Sequence, residues 1–247
     1  CLSPIDPAPI IRNFILFSFF TRPQIDFKID IYYFCIKLEN IKTLIIICNI
    51  NMSDDHALFL DRDGTIIKDC EGALIESNIR FEDGLKDFIR FAIEKKFKII
   101  MITNQTSVSK GLFSFSQMIK MNNIVLNRIN DLLKQEVFNE IFICPFHPNA
   151  QVLRYKLDSE DRKPKPGMLL KAQKKLNLNL NKSIMVGDRV SDIVAGNLAG
   201  CKTVLKVNNY SSLKMITTDL KYSKKMTVPD YKVNKLIEII PIMDSIL

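Results

Sequence analysis

The chain has 247 residues, of which 47% are hydrophobic and 25% are charged, and its formal net charge is +8. This length and composition suit one α/β domain with appendages, and six scattered cysteines exclude a small disulfide-stapled domain and predict free thiols in a reducing, cytoplasmic compartment. Because the basic residues are dispersed and form no runs interleaved with aromatic residues, we expect neither nucleic acid nor a membrane surface as a partner.

The first part of the chain differs from the rest. Residues 1–51 contain no methionine, and Met52 precedes the first convincing strand by five residues. Two apolar blocks, at 10–20 and 43–50, are shorter than the ~20 residues that a membrane span requires, and they do not fit a signal peptide. We therefore expect residues 1–51 to be translated upstream sequence or, as the alternative, an organelle leader, and we expect the folded domain to span residues 52–247.

From Met52 onward, short apolar runs alternate with longer helix-like stretches. The runs are apolar throughout rather than alternating in polarity, which indicates strands that are buried on both faces, as in a parallel sheet covered by helices. The predicted strands are 57–61, 97–103, 140–144, 183–188 and 202–207, and the predicted helices are 83–96, 116–136, 167–177 and 190–199. This order predicts an α/β fold, a three-layer sandwich around a doubly wound parallel sheet, with a minimal cap.

The end of the chain contains two prolines, Pro229 and Pro241, on either side of a stretch rich in Leu and Ile. Proline is tolerated in the first turn of a helix and interrupts a helix elsewhere. We therefore predict a last helix that begins after Pro229 and ends before Pro241.

Polar side chains follow the first, second and fourth predicted strands, as the pairs Asp61 and Asp63, Thr103 and Asn104, and Asp188 and Arg189. Ligands bind at the carboxyl ends of the strands in open parallel sheets, so these pairs predict one site. Asp61 and Asp63 stand one residue apart, and carboxylates that close repel unless a cation or a proton lies between them. The alternative for this pair is a turn cap before Gly64.

Four motifs, taken in order, resemble those of the haloacid dehalogenase (HAD) superfamily: DRDGT at 61–65, TN at 103–104, Lys before Pro at 163–164, and GD followed by an acid at 187–192. The resemblance covers 56–207 and implies a phosphatase. It makes Asp61 the nucleophile, which forms an aspartyl phosphate, and Asp63 the general acid and base. A Mg²⁺ ion held by Asp61, the backbone carbonyl of Asp63 and Asp188 would offset the repulsion between the carboxylates.

The resemblance also implies which residues bind the substrate. Lys163 is expected to offset the charge of the phosphoryl group, although Lys165 is a second candidate in RKPKPG. The phosphate loop is expected to consist of Thr103, Asn104, Gln105 and Thr106. The residues expected to complete substrate recognition are Arg162 or Arg189, which could bind a second phosphate through a planar set of donors, and the loop 68–75 with Asp69.

Asp192 is left between two interpretations by the sequence. It lies one helical turn beyond Asp188, where the motif places an acid, and a carboxylate at a helix N-terminus is also stabilised by the helix dipole without any catalytic role.

Within the superfamily, the stretches FLDRDGTI, TNQTSVSKGLF, CPFHP and RKPKPGMLLKA are similar to the branch that contains D-glycero-D-manno-heptose 1,7-bisphosphate phosphatase and histidinol-phosphate phosphatase. This similarity implies a small phosphorylated metabolite as the substrate, with the heptose bisphosphate losing its 7-phosphate. The alternatives are histidinol phosphate, another sugar phosphate, a polynucleotide 3′-phosphate or a non-catalytic role in binding phosphorylated ligands. We expect a monomer.

This chain departs from the branch at a loop that usually binds structural zinc through three cysteines and one histidine. The four matched positions hold Cys144, Phe146, Ser159 and Asp161. His147 stands one residue out of register. Because tetrahedral zinc sites need four nitrogen or sulfur ligands, we expect no zinc. The loop 145–161 is then expected either to be held by apolar contacts of Phe146 and Leu153 or to be mobile.

Overall fold

The computed structural model describes residues 54–68, 76–207 and 222–247. The predictions for residues 1–51 and for Asp69 lie outside the described residues. Within the described ranges, no helix combines the length and the apolar character that crossing a membrane would require.

Six strands form one parallel sheet in the order β3-β2-β1-β4-β5-β6. The strands are β1 (Ala57–Leu60), β2 (Lys98–Asn104), β3 (Glu140–Cys144), β4 (Ile184–Gly187), β5 (Lys202–Lys206) and β6 (Tyr231–Val233). The chain builds one side of the sheet first and then returns to the other side of β1. This reversal beside β1 confirms the predicted doubly wound topology and marks the edge where ligands bind in such sheets.

Helices cover both faces of the sheet. They are α1 (Leu85–Glu94), α2 (Thr106–Ser109), α3 (Phe115–Leu133), α4 (Gly167–Leu176), α5 (Val190–Ala199) and α6 (Ile240–Ile246). Leu58 and Leu60 pack in one buried cluster with residues of α1, α3 and α6, whereas Ala57 and Phe59 pack in another with residues of α4 and α5. Successive residues of a strand point to opposite faces, so the apolar run of β1 fills both layers and confirms the sandwich.

Helix α3 is fixed at its start by its own side chains. Ser114 Oγ accepts a hydrogen bond from the backbone N–H of Gln117 at 3.1 Å, and Gln117 Oε1 accepts one from the N–H of Ser114 at 2.8 Å. This reciprocal capping satisfies two N–H groups that have no partner within the helix. It fixes the helix that carries Asn122, a side chain that reaches the site.

The prediction of a helix between Pro229 and Pro241 is wrong. Tyr231–Val233 forms the sixth strand, which pairs with β5 so that Val233 lies opposite Lys206. Helix α6 begins at Ile240, with Pro241 in its first turn. Proline is tolerated there because the N–H that it lacks would have no acceptor within the helix.

Candidate active site

The candidate site lies at the carboxyl ends of β1, β2 and β4, next to the reversal of the chain. Asp61 directly follows β1, and its backbone N–H donates to the carbonyl of Val186 in β4 at 3.0 Å. Asp188 directly follows β4, and Thr103 is the penultimate residue of β2. Three strands that are separate in sequence therefore deliver polar groups to one place.

Three carboxylates meet at this edge. Asp61, Asp188 and Asp192 are all buried, and each presents an oxygen atom within 4.8 Å of the others. No other histidine, cysteine, aspartate and glutamate side chains of the described ranges form such a group of three. Oxygen ligands at this spacing suit a hard cation such as Mg²⁺, so the donor set fits the predicted metal. The Asp63 carboxylate is not in the group, and only its backbone carbonyl is predicted as a ligand.

Lys163 extends into this group of carboxylates. Its Nζ lies 2.7 Å from Asp61 Oδ1 and 2.7 Å from Asp192 Oδ1. It also donates to the carbonyl of Ile102 in β2 at 3.0 Å. Lys165, the second candidate, instead pairs with two carboxylates outside the group, those of Asp158 and Glu160.

The electrostatics of the group show an excess of negative charge. Burial raises the pKa of the Asp61 carboxyl to about 8, although the Lys163 ammonium acts in the opposite direction. Three nearby carboxylates add to this increase: Asp192, Asp188 and Asp63. Burial alone would lower the pKa of Lys163, but its ion pairs with Asp192 and Asp61 outweigh that effect and raise the pKa. Lys163 therefore remains charged, and the carboxylates compete for positive charge.

The Asp63 side chain is bound by two neighbours on its buried side. Arg62 Nε and Nη2 donate to Asp63 Oδ1 at 3.0 and 2.8 Å, and Nη2 also donates to Oδ2 at 2.8 Å. Gln105 Nε2 donates to Asp63 Oδ2 at 3.1 Å and to Thr103 Oγ1 at 2.9 Å. Both oxygens of Asp63 accept hydrogen bonds, which is the arrangement of an ionised carboxylate.

Asn104 connects the end of β2 to the loop that carries Lys163. Its Nδ2 donates to the carbonyl of Lys163 at 2.9 Å, and its Oδ1 accepts from the backbone N–H of Lys163 at 3.1 Å. Two hydrogen bonds between the same two residues fix the lysine relative to the sheet. The Asn104 side chain therefore acts on the position of Lys163.

The other predicted substrate residues lie around this centre. Thr106 is half-buried and begins α2. Arg162 is half-buried, and its Nη1 donates to the carbonyl of Phe146 at 3.1 Å. The Arg189 side chain is 58% exposed, with its Nε 3.9 Å from Asp188 Oδ1.

The positions matched to the zinc loop have other partners in this chain. The buried Cys144 thiol lies 4.0 Å from the carbonyl oxygen of Phe146, and burial raises the pKa of the thiol. Asp161 pairs with Lys171 at 2.5 Å. His147 Nδ1 accepts a hydrogen bond from the backbone N–H of Asn149 at 3.0 Å. The absence of zinc stays a prediction from the sequence.

The prediction that Leu153 helps to hold this loop by apolar contacts is wrong. Leu153 lies in a short 3₁₀ turn and is 81% exposed. Phe146 does pack in the loop, with its ring centroid 6.2 Å from that of the buried Tyr155. Backbone hydrogen bonds also join the loop to α2, since the carbonyl of Ser109 accepts from the N–H groups of Gln151 and Val152 at 3.0 and 3.1 Å.

Two residues have contacts that the sequence did not reveal. Asp192 does cap its helix, because its Oδ2 accepts from the backbone N–H of Arg189 at 3.0 Å, but it is also an ion-pair partner of Lys163. Arg62 lies between the two motif aspartates, and the motif itself assigns it no role. The available signal is its position two residues after a buried strand, where a charged side chain needs a buried partner.

Comparisons with known proteins agree with this geometry. A model of the HAD-hydrolase-like family matches residues 161–236. D-glycero-β-D-manno-heptose-1,7-bisphosphate 7-phosphatase of Yersinia pestis is 36% identical over 152 residues, which are 61% of this chain and 79% of that protein. D-glycero-α-D-manno-heptose-1,7-bisphosphate 7-phosphatase of Burkholderia mallei is 35% identical over 170 residues, which are 66% of this chain and 85% of that protein.

Among solved structures, D,D-heptose 1,7-bisphosphate phosphatase from B. bronchiseptica, complexed with magnesium and phosphate, has the same fold. The TM-score is 0.61 at 19% sequence identity, and the match covers 77% of this chain and 98% of that one. The relatives are aligned over most of their length, and they confirm the resemblance that the four motifs carry. The chain therefore belongs to the HAD superfamily of hydrolases, on the branch of the heptose bisphosphate phosphatases, and it is a phosphatase.

Proposed function

We propose that this phosphatase is Mg²⁺-dependent and removes the 7-phosphate of D-glycero-D-manno-heptose 1,7-bisphosphate through an aspartyl phosphate on Asp61. The observation that carries the mechanism is the position of Asp61, whose Oδ1 lies 2.7 Å from Lys163 Nζ within a group of buried carboxylates. The substrate rests on the names of the relatives from Yersinia pestis and Burkholderia mallei. A cytoplasmic location and a monomeric state belong to the proposal as predictions from the sequence.

The proposed metal ligands are Asp61, Asp188 and the backbone carbonyl of Asp63. A Mg²⁺ ion bound there would supply positive charge to the oxygens of the transferring phosphoryl group. Asp192 has less capacity left for a metal, because its Oδ1 is in the ion pair with Lys163 and its Oδ2 accepts a hydrogen bond from the N–H of Arg189.

The chemistry takes two steps on the same phosphorus atom. In the first, an Asp61 carboxylate oxygen bonds to phosphorus while the bond from phosphorus to the C7 oxygen breaks, and Asp63 gives a proton to that leaving oxygen. In the second, a water oxygen attacks phosphorus and Asp63 takes a proton from the water. Inorganic phosphate then leaves, and the Asp61 carboxylate is restored. The contacts that Asp63 makes with Arg62 and Gln105 are those of its proton-accepting form.

Lys163 has the charge and the position to stabilise the transferring phosphoryl group. Its ammonium is fixed by Asp61, Asp192 and the Ile102 carbonyl, so it does not have to reorganise as charge develops. The Thr103 hydroxyl, the Asn104 backbone amide and Thr106 are proposed to bind the remaining phosphoryl oxygens.

A bisphosphate needs a second cationic contact, for which Arg162 and Arg189 are the proposed residues. Arg162 is held by the Phe146 carbonyl, whereas the Arg189 side chain is mostly exposed. Of the variants Arg162→Gln and Arg189→Gln, the one that removes the contact with the second phosphate should lower kcat/KM for the bisphosphate about 10- to 100-fold. This is the effect of losing one charged hydrogen bond. The same variant should leave kcat/KM for the 7-monophosphate nearly unchanged.

The test of the proposed function is phosphate release by the purified protein with Mg²⁺, measured on the heptose bisphosphate and on histidinol phosphate. We expect the higher kcat/KM on the bisphosphate, and we expect Asp61→Asn to lose at least ~10⁴-fold in kcat because it lacks the nucleophile. Asp87→Asn, an exposed aspartate of α1, is the matched control. Full activity of Asp61→Asn would overturn the mechanism, and a preference for histidinol phosphate would overturn the substrate.

A further inference from the structure

Arg62 is a buried arginine placed between the two aspartates to which the mechanism assigns chemistry. Only 3% of the residue is exposed, although arginine is among the residues least often buried. A buried guanidinium is strongly destabilising unless its donors are bound, because its hydration is lost. The partners of this side chain therefore show what its burial achieves.

The guanidinium binds the Asp63 carboxylate in a two-pronged geometry. Nε and Nη2 bond to Oδ1, and Nη2 bonds to Oδ2 as well, with distances of 2.8 to 3.0 Å. The planar arrangement of these donors fixes both the position and the rotation of the carboxylate, which a lysine ammonium could not do. The side chain of Asp63 is itself 30% exposed, so it is bound from the interior while part of it remains open.

The other end of the guanidinium is anchored to α3. Arg62 Nη1 donates to Asn122 Oδ1 at 2.5 Å, and Asn122 is buried. The amide nitrogen of Asn122 has no hydrogen-bond partner among the described residues. Within that part of the chain, the Asn122 side chain therefore serves as the acceptor for Arg62. Arg62 Nη2 also donates to Gln105 Oε1 at 3.1 Å, and Gln105 in turn binds Asp63.

We propose that Arg62 is a positioning residue, which together with its anchor Asn122 holds the Asp63 carboxylate in the orientation needed to exchange protons with the leaving group and with water. This inference rests on the proposed role of Asp63 as general acid and base. The neighbours of Arg62 explain why an arginine is required: one planar group must contact Asp63, Gln105 and Asn122 at once. A displacement of about 1 Å at a reacting group can cost ~100-fold in rate.

The test compares two leaving groups in Arg62→Gln, which removes the charge and the paired donors. p-Nitrophenyl phosphate releases a stable phenolate that needs no proton, whereas the heptose bisphosphate releases an alkoxide that does. We expect kcat on the bisphosphate to fall ~100-fold. The first turnover of p-nitrophenyl phosphate should stay near the wild-type rate and be followed by slow turnover, because hydrolysis of the aspartyl phosphate also needs Asp63. Stopped-flow absorbance should therefore show a burst of one nitrophenolate per site.

A double-mutant cycle separates positioning from general damage to the fold. If Arg62 acts through Asp63, Arg62→Gln should cause no further loss of kcat in an Asp63→Asn background. Additive losses, or equal slowing of the first turnover on both substrates, would overturn the proposal.

Arg128→Gln is the matched control. Arg128 is a half-buried arginine of α3, the helix that carries Asn122, and it donates to the Ile79 carbonyl at 3.3 Å. This variant should have wild-type kinetics. If Arg62→Gln does not fold, Asn122→Ala removes only the anchor and should give the same pattern with smaller losses. Wild-type kinetics in both Arg62→Gln and Asn122→Ala would overturn the positioning role and leave the proposed function intact. The proposed function itself would be overturned if the wild-type protein released no phosphate or if its phosphate release did not depend on Asp61.

Discussion

Two lysines are almost completely buried at the carboxyl edge of the sheet, and their surroundings differ. Lys163 forms one cluster with Asp61, Asp192 and the nearby Asp188, which we call the Lys163 cluster. Lys206, the last residue of β5, forms the Lys206 pair with Glu82, whose Oε1 lies 3.0 Å from its Nζ. Lys206 Nζ also donates to the carbonyl of Gly64, in the loop that follows Asp63, at 3.2 Å.

The difference between them is charge balance. The Lys206 pair contains one cation and one carboxylate, so its formal charges cancel. The Lys163 cluster contains one cation and three carboxylates, so with all three ionised it has an excess of two negative charges, which is the charge that one Mg²⁺ ion balances. Arg189 contributes little to that balance because its side chain is mostly exposed and its charge is screened by water. The comparison indicates that unbalanced buried charge marks the binding site and balanced buried charge marks the scaffold.

Among substitutions of the two buried lysines, the largest effect should come from Lys163→Met. Removing the ammonium should lower kcat ~10³-fold, because a fixed positive charge next to the transferring phosphoryl group is lost. It should also lower the free energy of unfolding by about 3 to 5 kcal/mol, because Asp61 and Asp192 remain buried without their partner. Phosphate release and urea denaturation measure the two quantities.

Lys165→Met is the control for this substitution. Its ammonium pairs with carboxylates that are largely exposed, so the expected change in unfolding free energy is below about 1 kcal/mol. Equal losses of kcat in the two variants would remove the distinction between Lys163 and its neighbour in RKPKPG.

The sequence predicted the members of the Lys163 cluster better than their contacts. Asp61, Asp188 and Lys163 belong to motifs, and a parallel sheet brings its strand ends together, so their convergence follows from topology. The ion pair between Lys163 and Asp192 depends on how the lysine loop crosses the sheet, and the hydrogen bonds of Asn104 to that loop are not encoded in any local pattern. The position of Asp192 in the sequence fitted a helix cap as well as it fitted a member of the site.

The Lys206 pair and the segment after Pro229 show two kinds of structure that local sequence patterns do not predict. Lys206 lies near the end of the predicted strand 202–207, where a lysine is usually solvated, and its partner Glu82 lies far away in sequence. The strand Tyr231–Val233 has three residues, of which only Val233 is buried, so it shows no repeating pattern. The Leu- and Ile-rich segment after it predicted a helix, but in the structure it forms a 3₁₀ turn at Leu236–Ile239, and the α-helix begins only at Ile240.

A second prediction uses the charge excess of the Lys163 cluster. Because burial raises the pKa of Asp61 to about 8, Asp61 in the metal-free protein holds a proton below that pH, and a bound cation must displace it. Mg²⁺ affinity should therefore increase with pH, by up to ~10-fold per unit between pH 6 and pH 8, and level off above pH 8. Titration calorimetry at pH 6, 7 and 8 measures this dependence.

Asp61→Asn provides the control for the metal titrations, because asparagine has no proton to lose in this range. Its remaining Mg²⁺ affinity should be weak and nearly independent of pH. A wild-type affinity that stays constant from pH 6 to pH 8 would show that Asp61 is already ionised without the metal.

The smallest effect on catalysis should come from replacing the Lys206 pair. Lys206→Met alone should lower the free energy of unfolding by about 3 to 5 kcal/mol, because Glu82 is left with an uncompensated charge. The double variant Lys206→Met with Glu82→Leu should return to within about 1 kcal/mol of the wild type or exceed it, because apolar side chains of similar size can replace a buried ion pair. Urea denaturation measures the stability, and kcat should stay within about fivefold of wild type if the pair is scaffold. A large loss of kcat in a stable double variant would instead show that the bond from Lys206 to the Gly64 carbonyl controls the loop of Asp63, and balanced charge would no longer identify scaffold.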